Sequence, residues 1–142
     1  MNYVKADKGS IAIGERNDCS VKALSIVADI HYGIAHKIMK IGGRKDGCGS
    51  TVASLMAALA VLGWKNTEVT DSVNAKTIKK VSSDPAFSTG RFLIYTRGHI
   101  VSVIDGKVED WSEDRALRIK KVWKIEPVKS RKERKEALEQ FR

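Results

Sequence analysis

A chain of 142 residues, 42% hydrophobic and 30% charged, has the length and balance of one globular domain with its own core. Its longest apolar stretch, residues 52–62 with Ser54 inside it, is far short of the roughly 20 residues that a membrane span needs. The net charge of +9 is unevenly placed: residues 115–142 hold 11 Lys/Arg against 4 Asp/Glu, whereas residues 1–114 hold 15 against 13.

Residues 1–14 read as an irregular lead-in containing Gly9, Ser10 and Gly14. They lack the apolar region and cleavage site of an export signal, so cytoplasmic residence with no membrane partner is the expectation. Asn17 or Asp18 then caps a helix over about 19–29, whose apolar positions Val21, Leu24, Val27 and Ala28 recur at helical spacing. A second helix, 33–41, presents Ile34, Ile38 and Ile41 and stops at Gly42-Gly43. The glycine-dense run 42–50 lacks the phosphate-binding pattern G-x-x-x-x-G-K-[S/T]. It reads as a connector whose Gly47, Cys48 and Gly49 are candidates to border a substrate cleft.

Thr51 caps a third helix, 52–62, apolar on most sides and therefore expected to be buried. A short strand over 64–69 and a weak helix over 74–81 capped by Asn74 follow. Beyond Pro85 the period changes to that of strands: 91–96, 100–104, 107–111 and 116–125, the last with Leu117, Ile119, Trp123 and Ile125 on one parity. Residues 129–141 form a charged helix or tail. Helices first and an antiparallel sheet after them make an α+β chain. Residues 1–125 are expected as one domain, with 126–142 as a basic helix or tail.

Two cysteines without an export signal argue against a disulfide framework. With no C-x-x-C, and with His31 and His36 splayed around a helix, no metal and no other cofactor is expected. What stands out is Cys19, placed where a helix begins. The unpaired N–H groups and the dipole of a first turn favour a thiolate over a thiol.

A distant hairpin supplies partners for it. Asp105-Gly106 is a strong two-residue turn signal. With these as turn residues, Ile104 faces Lys107 and Val101 faces Asp110, so His99, Val101, Val103, Val108 and Asp110 share a sheet face. His99 and Asp110 are then diagonal neighbours about 7–8 Å apart at the backbone. Asp105 lies some 20 Å from His99 at about 3.3 Å per residue, so Asp110 is the carboxylate to orient the imidazole. In this constellation Cys19 is the nucleophile, His99 takes and returns its proton, and Asp110 fixes the His99 tautomer. The backbone N–H of Cys19 and the side-chain amide of Asn17, or Arg16, are the oxyanion donors.

The runs 17–19 and 98–111 resemble those of the papain-like cysteine peptidases, especially small bacterial and phage forms akin to the double-glycine peptidase domains, and residues 42–51 resemble the connector of the small phage forms. The resemblance covers about 15–125. It implies a papain-like fold and a thioester acyl-enzyme formed with a peptide or protein substrate. It also implies the host cytoplasm as the setting if the chain is phage-encoded. Many relatives carry a glutamine six residues before the nucleophile. Here that position is Ile13, which has nothing to donate. The alternative expectation is an inactive papain-like fold that binds nucleic acid or a host protein through its basic C-terminal segment.

Overall fold

The computed structural model describes residues 19–42, 52–109 and 116–141. The chain forms two compact units, Met1–Lys65 with Pro127–Arg142, and Asn66–Glu126. It is α+β: helices α1 (Cys19–Val27), α2 (Tyr32–Ile41) and α3 (Val52–Val61) precede strands β1 (Trp64–Glu68), β2 (Arg91–Thr96), β3 (His99–Ile104), β4 (Lys107–Val108) and β5 (Ile119–Pro127), and α4 (Arg131–Glu139) closes it. Among the described residues, no helix is long and apolar enough to cross a membrane.

In the first unit α1 packs against α2 and α3. Seven of its nine residues are buried, because Val21, Leu24 and Val27 form the inward stripe and small Ala23, Ser20 and Ser25 fill the flanks. It ends in a Schellman turn. Asp29 takes the left-handed conformation (φ 53°), and the Ile30 N–H reaches Ser25 O at 2.9 Å while Asp29 N–H reaches Ile26 O at 3.3 Å.

The next helix starts on His31 as its cap. His31 is exposed, but its Nδ1 accepts from Gly33 N–H at 3.1 Å. His31→Ala should therefore lower stability by about 1 kcal/mol, and His31→Asn should restore most of it, as read by urea denaturation. His36 is half-buried, its ring 6.1 Å from that of Tyr32.

The third helix departs from expectation. Only Leu55, Ala58 and Leu59 of α3 are buried, and Val61 is 48% exposed. An alanine-rich helix exposes little apolar area on its outer side, so an apolar sequence does not force burial there. The C-terminal residues form a capped helix. Ser130 and Glu133 make a reciprocal capping box, and the Arg134 guanidinium lies 4.7 Å over the Trp64 ring.

The strands join in the order β1-β5-β2-β3-β4, with β2 antiparallel to both β3 and β5. One face of the sheet carries Phe92, Ile94, Val101, Val103, Val108 and Val122. These pack on Val73, Ala75, Ile78, Val81 and Phe87 from the segment before β2. That segment is not the expected helix capped by Asn74. It holds three 3-10 turns, Thr70–Ser72, Ile78–Ser83 and Pro85–Phe87. The Asn74 and Ala75 N–H groups donate to the Asp84 carboxylate at 2.8 Å each, and the Ile78 N–H, which a helix capped at Asn74 would return to the Asn74 carbonyl, donates instead to Leu117 O at 2.9 Å. The shared parity of Leu117, Ile119, Trp123 and Ile125 is also overturned. A register shift falls between Tyr95↔Lys121 and Thr96↔Ile119. The extra residue, Lys120, turns Leu117 and Ile119 onto the same core as Val122.

Candidate functional site

Cys19 is the first residue of α1 and is half-buried and free of any disulfide. The helix behind it is held by its buried stripe, so the thiol sits at the end of a firmly packed element. Beside it, Ser20 is 2% exposed, and its Oγ has no hydrogen-bond partner among the described residues. Leaving a buried hydroxyl unmet costs about 1–3 kcal/mol, and such groups concentrate where structure serves chemistry. A serine one step into an apolar helix carries no signal of its own.

The hairpin around His99 follows the expected register. The turn is Asp105-Gly106 with φ of 49° and 80°, values that match a type I′ turn. Ile104 faces Lys107 and Val103 faces Val108, and the Glu109 N–H to Ser102 O bond of 2.9 Å carries the ladder one residue further. Asp105 has a different job from orienting His99. Its Oδ1 accepts from Gly90 N–H at 2.8 Å, and its own N–H donates to Gly90 O at 2.9 Å. These two bonds clamp the turn to the start of β2.

His99 opens β3 and is half-buried. It faces Thr96 across the tight turn at Arg97-Gly98, where Gly98 has φ 73°. The Thr96 hydroxyl donates to the His99 carbonyl at 3.3 Å, which fixes the strand end that carries the imidazole. By strand alternation His99 belongs to the face of Val101 and Val103. On the opposite face, Ser102 and Glu109 are both buried. Glu109 is a second carboxylate in this hairpin that alternation alone would have assigned to solvent.

Cys19 belongs to the first unit and His99 to the second. Asp110, Asn17, Arg16, Ile13, Gly47, Cys48 and Gly49 lie outside the described residues. Among the described residues no group of three or more His, Cys, Asp or Glu side chains is arranged to hold a metal ion. Comparison of the chain with protein-family models, curated proteins and solved structures finds no match in any of the three.

Proposed function

We propose that this chain is a papain-like cysteine hydrolase of the peptidase or amidase type that acts on a peptide or protein substrate. The observation that carries the reading is the position of Cys19 as the first, half-buried residue of a helix whose remainder is almost entirely buried. A thiol there combines access for a substrate with the electrostatic field of a helix N-terminus.

In the proposed reaction His99 removes the Cys19 proton, and the thiolate attacks the carbonyl carbon. The tetrahedral oxyanion is met by the Cys19 backbone N–H and the Asn17 amide. Collapse expels the leaving amine, protonated by the His99 imidazolium, and leaves a thioester. Water activated by His99 then releases the acid and regenerates the thiol, with Asp110 holding the imidazole throughout.

Alkylation with iodoacetamide between about pH 5 and pH 9, with the labelled cysteine identified by mass spectrometry, tests this. Cys19 should label rapidly at mildly acidic pH, Cys48 should lag, and His99→Ala should slow Cys19 at about pH 6 by at least tenfold. Cys19 labelling only as fast as an ordinary thiol, indifferent to His99→Ala, would remove the basis for the reading.

A further inference from the structure

The basic residues of this chain are not where the linear charge count puts them. Helix α4 holds Arg131, Lys132, Arg134 and Lys135 but interleaves Glu133, Glu136 and Glu139, so it presents a mixed surface rather than a cationic one. In the second unit, by contrast, two segments free of any carboxylate, 73–83 and 116–124, are stitched together. The Ile78 N–H donates to Leu117 O and the Ile119 N–H to Lys76 O, both at 2.9 Å, with Thr77 directly opposite Arg118. This is the narrow type of antiparallel pair, in which facing side chains project to one side and stand closest.

The join gathers Lys76, Lys79 and Lys80 from one segment with Arg118 and Lys120 from the other, all five exposed. None of them takes part in an ion pair among the described residues. Beside them lies a groove of about 540 Å³ lined by Asn74, Lys76, Thr77, Lys80, Ser83 and Asp84. Asp84 is the one acid there, and its two oxygens are spent on the backbone N–H groups of Asn74, Ala75 and Ala86. The groove thus offers ammonium groups, hydroxyls and an amide, the donors that contact phosphate oxygens.

We propose that this face of the second unit binds the phosphate backbone of duplex nucleic acid without reading its sequence. The one aromatic residue in the two basic segments, Trp123, is buried, so they offer no exposed platform on which unpaired bases could stack. Uncompensated lysines and an arginine release counterions from a polyphosphate, which is the whole driving force of sequence-independent binding. This inference stands apart from the thiol chemistry and does not depend on it.

The test is fluorescence anisotropy of the full chain with a labelled mixed-sequence DNA duplex across a salt series. Binding should weaken linearly in log–log form, by roughly 0.9 per phosphate contacted. The exposed-site variant Lys76→Gln/Lys80→Gln/Arg118→Gln should flatten that slope by about two to three and weaken binding at least tenfold at about 0.1 M salt. Its far-UV spectrum and melting should match the parent, since all three side chains are exposed. The α4 variant Lys132→Gln/Lys135→Gln should bind like the parent, and a second duplex of unrelated sequence should bind equally well. Loss of binding in the α4 variant instead, an unchanged slope in the triple variant, or preference for phosphatidylserine vesicles over duplex would each overturn the proposal.

Discussion

Phe87→Ala is expected to lower the unfolding free energy by about 3–5 kcal/mol, a large fraction of the 5–15 kcal/mol that holds a typical domain. Phe87 is fully buried. Its ring meets Phe92 edge-on, 5.0 Å between centroids and 71° between planes, the geometry in which aromatic pairs attract beyond their buried area. It also stands in the 3-10 turn Pro85–Phe87 that leads the chain into β2. The side chain therefore joins the irregular segment to the sheet, and its removal leaves a cavity that neither side can readily close. Urea denaturation should show a lower midpoint with an unchanged slope, and Phe87→Leu should lose much less. A midpoint within experimental error of the parent would show that the segment does not hold the sheet face as described.

Asp84→Ala should cost about 3 kcal/mol near neutral pH, because three backbone donors lose a charged acceptor at once. Burial alone would raise the Asp84 carboxyl. The N–H groups of Ala75, Ala86 and Asn74 outweigh it and hold the group below its ordinary range. The sign follows from linkage. The unfolded chain takes up the proton first, so the stability that Asp84 contributes is complete above the unfolded value of about 4 and is lost as pH falls through the lower folded value. The gap between parent and Asp84→Ala should accordingly narrow as denaturation is repeated at successively lower pH below about 4. Asp84→Asn should fall between the two. An amide can keep its oxygen on the Asn74 and Ala75 donors but turns its NH₂ toward Ala86. A gap that stays constant on acidification would mean that Asp84 acts by shape rather than charge.

Features governed by a few adjacent residues were legible in the chain. The Asp105-Gly106 turn and the register of its hairpin follow from the left-handed conformation those two residues tolerate. The helix beginning at Cys19 follows from its inward stripe, and β2 from its dense run of strand formers. The 52–61 helix was legible as a helix but not as an exposed one, since periodicity reports a shape and not what covers it. The stretch 74–81 does not form the expected helix because its Ile78 N–H and Lys76 carbonyl pair with Leu117 and Ile119, from further along the chain. Of the candidate site, the placement of Cys19 on a helix end and of His99 on a strand end could be read from neighbours alone. The unmet Ser20 hydroxyl and buried Glu109 could not, because burial belongs to the packed molecule.

By itself, then, the sequence determined the α+β order of elements, the turns, the helix that presents the thiol and the hairpin that presents the imidazole. Each depends on backbone preferences and side-chain spacing within one or two turns of chain. Only the tertiary structure decided that Lys120 is a bulge that swings Leu117 and Ile119 into the core. Only it decided that Thr77 meets Arg118, so that lysines 76–80 join the basic residues of β5 while α4 neutralises its own. Those outcomes rest on hydrogen bonds between residues some forty positions apart. Closing such a loop has an entropic cost that no local pattern encodes, and it is offset only when the whole core assembles.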